Sequence, residues 1–153
     1  MTINTTFTSG QVLTAAQMNN LPWGVAAVTN KTTDSAITTT ETVFLTASFT
    51  AVANRYYRIT YFEGDLYNAN GATSANIIAR LRNGTTTAGT ELQFFTTPTL
   101  PGGETSMTPT VVKTFSAGAQ SIVATLTISA GTGTALHSAT RPAQLIIEDI
   151  GPS

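Results

Sequence analysis

The sequence predicts an all-β protein: an antiparallel β-sandwich or jelly roll of about eight to nine strands, preceded by an N-terminal arm with a short helix. Three observations lead there. Thr supplies 32 of the 153 residues, and its β-branched side chain suits a pleated strand better than a helix. Apolar residues recur with period two over most of the chain, the spacing of half-buried strands. Turn signals rich in Gly and Asn separate these runs. The length fits one domain, and 35 Leu, Ile, Val and Phe residues are enough for a core of its own.

The arm comes first, over residues 1–24. Residues 2–10 are polar and Thr-rich, with only Ile3 and Phe7 apolar. Thr14-Ala15-Ala16-Gln17 then fits a capping box, in which the Thr hydroxyl and the Gln side chain satisfy each other's orphan N–H groups. Ala, Gln and Met favour helix, so one or two turns are expected over about 14–20. Asn19-Asn20 and Pro22 close them, because the residue before a proline is pushed out of helical space. So short a helix is unstable alone. Phe7, Val12, Leu13, Met18, Leu21 and Trp23 are therefore the anchoring candidates, docking on this domain or on another chain.

Residues 25–153 form the sandwich domain. A first strand is expected over 25–30. Next, Val43, Leu45, Ala47 and Phe49 alternate with Phe44, Thr46 and Ser48, and Tyr57, Ile59 and Tyr61 alternate with Tyr56, Arg58, Thr60 and Phe62. Ile77, Ala79 and Leu81 lie opposite Ile78, Arg80 and Arg82. Ile122, Ala124, Leu126 and Ile128 lie opposite Val123, Thr125 and Thr127. Strands are also expected near 91–97, 110–116 and 143–150. Between the strands fall Asn70-Gly71, Asn83-Gly84, Gly102-Gly103, Ala117-Gly118 and Gly131-Thr132-Gly133. Residues 98–109, with their Pro and Gly, read as a long mobile surface loop.

Charge excludes several classes. Seven basic and eight acidic residues give a net charge of −1, without a run of either sign. Nucleic-acid binders concentrate Lys and Arg against phosphates, so no nucleic-acid partner is expected. Cysteine is absent, which removes disulfides and thiolate metal sites. No apolar run approaches the roughly 20 residues that span a bilayer, and the first ten residues lack the pattern of a signal peptide. The reading is a soluble, unprocessed and non-secreted chain, with no membrane partner.

Catalytic material is thin, and no enzyme activity is expected. His137 is the only imidazole; no nucleophile elbow accompanies it, and one His builds no multi-His zinc centre. A surface or edge-strand position is expected for it. Glu63-Gly64-Asp65 puts two acids on one side of a strand, where pairing with Arg58, Arg80 or Arg82 across strands is favoured over a calcium site. Glu148-Asp149 ends the last strand. Gly131-Thr132-Gly133-Thr134 lacks the Lys of a phosphate loop. Neither cofactor nor metal is expected. The Asn-x-Thr triplets at Asn4, Asn30 and Asn83 arise readily by chance in so Thr-rich a chain. Tyr56, Tyr61 and Tyr67 are candidate rings for an oligomer contact or for stacking on a glycan, with core or subunit contact favoured.

Two segments resemble a known family. Phe7-Thr8-Ser9-Gly10-Gln11-Val12-Leu13-Thr14-Ala15-Ala16-Gln17-Met18-Asn19 looks like the opening of small tailed-bacteriophage virion proteins, and Leu145-Ile146-Ile147-Glu148-Asp149-Ile150-Gly151 resembles their closing strand. These are minor tail, head-fibre or capsid decoration proteins. The match covers about 20 of 153 residues; elsewhere only the β pattern agrees. The resemblance implies a non-enzymatic virion protein, foremost a capsid decoration (cement) protein on the major capsid protein at the outer capsid surface. Its alternative is a minor tail or fibre protein that joins tail proteins and touches a host glycan. It also implies a homo-oligomer, with a trimer favoured.

Overall fold

The computed structural model describes Val12 and residues 14–153. Phe7 and Leu13, both expected to anchor the arm, lie outside the described residues. The helix α1 (Ala15–Asn19) starts where the capping box places it. Gln17 N–H donates to Thr14 Oγ1 (3.2 Å), and Thr14 N–H donates to Gln17 Oε1 (2.9 Å).

The remainder is a β-sandwich of two antiparallel sheets. In chain order its strands are β1 (Gly24–Lys31), β2 (Ser35–Ile37), β3 (Thr42–Ala51), β4 (Arg55–Asn68), β5 (Ala75–Asn83), β6 (Thr90–Thr99), β7 (Glu104–Met107), β8 (Thr110–Thr114), β9 (Gly118–Ile128), β10 (Gly133–Ala135) and β11 (Ala143–Pro152). The small sheet runs β3-β9-β5-β6, and the other seven strands form the large sheet. Its spine is β4, whose first half pairs with β11 and β8 and whose second half pairs with β10 and β7. A bulge between Glu63 and Leu66 separates the halves and shifts the inward phase from Tyr61 and Glu63 to Leu66 and Asn68.

The core lies between the sheets. Tyr57, Ile59, Tyr61, Leu145 and Ile147 of the large sheet face Leu45, Ala47, Ile77, Leu81, Ile122 and Leu126 of the small one. At one end Phe49, Tyr57 and Phe115 form a ring cluster with centroids 5.0, 5.6 and 5.9 Å apart. These distances suit tilted and edge contacts between aromatic quadrupoles.

Three sequence expectations need correction. The strands number eleven among the described residues, because β2, β7 and β10 are too short for periodicity to register. Half of residues 98–109 lie in strands: β6 runs to Thr99, β7 follows at Glu104, and a tight turn at Leu100–Gly103 joins them. Gly103 N–H donates to the Leu100 carbonyl (3.0 Å), and Asn68 N–H donates to the Gly103 carbonyl (2.9 Å). Lastly, Val43 does not share a face with Leu45. A bulge there turns both Phe44 and Leu45 inward and leaves Val43 exposed.

The strand β9 also departs from simple alternation, since every residue from Ile122 to Ile128 is buried. It is central in its sheet, and its outward Thr125 and Thr127 are covered by the segment before β3. Thr125 donates to Glu41 (2.6 Å) and Thr127 to the Thr38 carbonyl (3.0 Å).

Candidate functional site

The arm is held at one end of the large sheet by Arg55 and Asp149. Arg55 opens β4 after a tight turn in which Asn54 takes the left-handed conformation (φ 60°). Asp149 precedes a bulge in β11 that Gly151 permits with φ 119°. Both side chains are buried, at 5% and 3% exposure. The guanidinium fork meets the carboxylate through Nε to Oδ2 and through Nη2 to Oδ1 (2.6 Å), the bidentate geometry that suits Arg. Its other N–H groups reach the arm: Nη1 donates to the Asn19 carbonyl (2.6 Å) and Nη2 to the Leu21 carbonyl (2.7 Å). These carbonyls lie at and just beyond the C-terminus of α1, where helix acceptors lack internal partners.

Trp23 completes the dock. Its ring lies over the Arg55 guanidinium at 4.0 Å, and its backbone N–H donates to Asp149 Oδ1 (3.4 Å). Burial by itself would raise the Asp149 carboxyl. The Arg55 hydrogen bonds, the Gly151 and Trp23 backbone N–H groups and the Arg55 charge outweigh it, holding the group below its ordinary value.

Arg55, Asp149 and the Trp23 ring therefore carry the docking, while the other large apolar side chains among the described arm residues stay exposed. Val12 (86%), Met18 (55%), Leu21 (40%) and Trp23 (54%) remain exposed. The Trp23 indole stands between two shallow grooves, one bounded by Val52 and Pro152 and the other by Val25 and Thr50. Sequence reasoning named these arm residues but missed Arg55 and Asp149. Arg55 read as one scattered cation and Asp149 as the polar end of a strand.

The remaining candidates fall elsewhere. His137 is neither at the surface nor on an edge strand; its side chain is 1% exposed. Its Nδ1 lies 2.8 Å from the Thr33 carbonyl and its Nε2 2.9 Å from Glu63 Oε1, while Tyr61 OH donates to Glu63 Oε2 (2.6 Å). A carbonyl only accepts, so Nδ1 carries a hydrogen. Burial, and next the neighbouring Glu63 carboxylate, push the Tyr61 phenol well above its usual value. Tyr61, fully buried, offers no ring to a glycan or a second subunit, which corrects that expectation. Tyr56 is 43% exposed, and Tyr67 is half-buried beside the turn at Gly102.

The expected ion pairs of Glu63 and Asp65 also differ. Glu63 pairs with His137 and Asp65 with Arg141, while Arg58 pairs with Glu148 on the outer face of the large sheet. Arg80 and Arg82 pair with Glu41 and Glu91 on the small sheet. The reason is topological: β4 and β5 lie in different sheets, and Glu63 points inward while Arg58 points outward. The Arg82 hydrogen bond is the largest influence on Glu41, and it outweighs burial to lower that carboxyl.

No helix among the described residues is long and apolar enough to cross a membrane. No protein-family model matches the sequence, and neither does any curated protein. Among solved structures, this chain is similar to one from "Structure of infectious bursal disease virus Gx strain", with a TM-score of 0.38 and 11% identity. The likeness covers 86% of this chain and 38% of that one, so the chain spans well under half the length of its neighbour. The two differ too much for the likeness to bear on function.

Proposed function

We propose that this chain is a non-enzymatic virion structural protein of a tailed bacteriophage, acting as a capsid decoration protein on the outer shell. The observation that carries the reading is the docked arm. Its backbone is fastened to the sandwich by Arg55, while Met18 and Leu21 are exposed and Trp23, packed on Arg55 by one side of its ring, keeps about half of its surface exposed. A segment fixed by its polar groups with apolar side chains outward presents a preformed surface for a further protein. In this reading the further protein is the major capsid protein. Binding only the assembled shell would stabilise it by mass action. The burial of His137 supports a role without catalysis.

The test replaces Met18 and Leu21 by Asp and follows incorporation into particles. The variant keeps the wild-type melting temperature, since neither side chain is in the core, but is lost from particles. Full incorporation would overturn the reading. The second reading is a minor tail or fibre protein touching a host glycan, favoured by the exposed ring of Tyr56. Copy number separates the two: hundreds per particle fit decoration, and a handful fit a tail. Glycan binding that disappears in Y56A would support the second reading.

A further inference from the structure

We propose that the outer face of the large sheet pairs two copies of this chain about a two-fold axis parallel to the strands, between β4 and β11. This inference stands apart from the virion reading, because it concerns the isolated chain.

Four strands lie side by side here in the order β1-β11-β4-β8. Their inward side chains belong to the core, and their outward ones face solvent. One outward row reads Val25, Glu148, Arg58, Val112, because each residue is the cross-strand partner of the next. Val25 is 62% and Val112 45% exposed. Beside this row lie Tyr56 (43%) and Ile150 (38%), and farther along the strands stand Val28 (48%) and Phe62 (41%). Apolar side chains gathered on one sheet face differ from the scattered ones that any soluble surface carries.

Charge identifies the occupant. Among the described residues of these four strands, Arg58 and Glu148 are the only outward-facing charged side chains up to Phe62. Lys31 and Lys113 sit opposite buried Ala143 and Tyr57 and so point inward. Arg58 and Glu148 meet at 2.9 Å, with Arg58 half exposed. The face carries no net charge but a fixed positive-to-negative order across β4 and β11. Strongly charged partners find no complement on it, whereas a second copy does. Rotation by 180° about an axis between β4 and β11 reverses the row end for end. Arg58 then lies over the partner's Glu148, and Val112 over the partner's Val25. Tyr56 lies over the partner's Ile150, and Thr60 over the partner's Ile146. Such an isologous contact is the commonest kind in homo-oligomers, and face-to-face sheets stack about 10 Å apart with nearly aligned strands. A three-fold assembly cannot use this face in that self-complementary way.

Sedimentation equilibrium of the full chain tests the pairing. The wild type is expected at about twice its 16.0 kDa mass. V112D buries a charge against the partner's Val25 and should weaken the dimer by at least about a hundredfold; V28K serves as a second variant on the same face. R58E and E148R should each be monomeric, since like charges then face each other across the axis. A mixture of R58E and E148R should recover the dimer, although neither chain retains its internal pair. A merely internal role for Arg58 and Glu148 predicts no such recovery. A monomeric or trimeric wild type would overturn the proposal, as would V112D and V28K of unchanged mass or a mixture that stays monomeric.

Discussion

Arg55 and Asp149 lie 94 residues apart in sequence and meet as a buried ion pair whose guanidinium also holds two carbonyls of the arm. One side chain thus joins the entry of β4, the end of β11 and the exit of α1.

Removing Arg55 strands a buried carboxylate and releases the arm together. R55A should lose about 3–5 kcal/mol in urea unfolding, the range for breaking a buried pair from one side. Limited proteolysis should cut near residues 19–24 in the variant well before the wild type. A loss under about 1 kcal/mol would show that the pair is not desolvated as described.

The Asp149 carboxyl is held below its ordinary value in the folded chain. A depressed folded value means that its contribution is complete above the unfolded carboxylate pKa of about 3.9 and is lost as the pH falls through the folded value. Glu41 acts in the same direction through Arg82. The stability difference between wild type and D149N should therefore be constant above about pH 5 and shrink toward acid. A difference that grows as the pH falls would contradict the sign.

Glu63 and His137 are matched by donors and acceptors. In E63Q the amide can donate to His137 Nε2 and still accept from Tyr61 OH, so the cost should stay below about 1.5 kcal/mol. H137A leaves the buried Glu63 carboxylate with Tyr61 alone and should cost about 3–5 kcal/mol. Nitrogen NMR should show a hydrogen on Nδ1 of His137 in both the wild type and E63Q. Equal costs in the two variants would refute the matching.

Gly131 has φ 70°, and a Cβ built there would fall 1.8 Å from Asn70 Oδ1. The Asn70 amide bonds the Ala130 carbonyl and accepts from Thr132 N–H, so it cannot move freely. G131A should cost about 2–3 kcal/mol. In an N70A background, the same change should cost only the backbone penalty of about 1 kcal/mol. Chemical unfolding of the wild type and the three variants measures the difference.

Local chemistry was legible wherever neighbours in sequence are also neighbours in space. The capping box of Thr14 and Gln17 needs four consecutive residues, and it forms as read. Strands β4, β5 and β11 were legible because alternation is itself the record of a sheet with one buried face. Val43 and residues 98–109 were misread because bulges shift the phase, and strands as short as β7 are defined by the strand they pair with.

By itself the sequence determined the fold class, the helix at the arm and the poverty of charge that shapes the surface. These follow from propensity and period, which act over a few residues. Only the tertiary structure decided that Arg55 meets Asp149, that His137 is buried on Glu63, and that Arg58, Glu148, Val25 and Val112 form one row. Each joins strands distant in sequence, and antiparallel pairing between β1, β4, β8 and β11 sets which residues are opposed. That register depends on bulges and turns that carry no periodic signal, so it emerges only when the whole sheet is assembled.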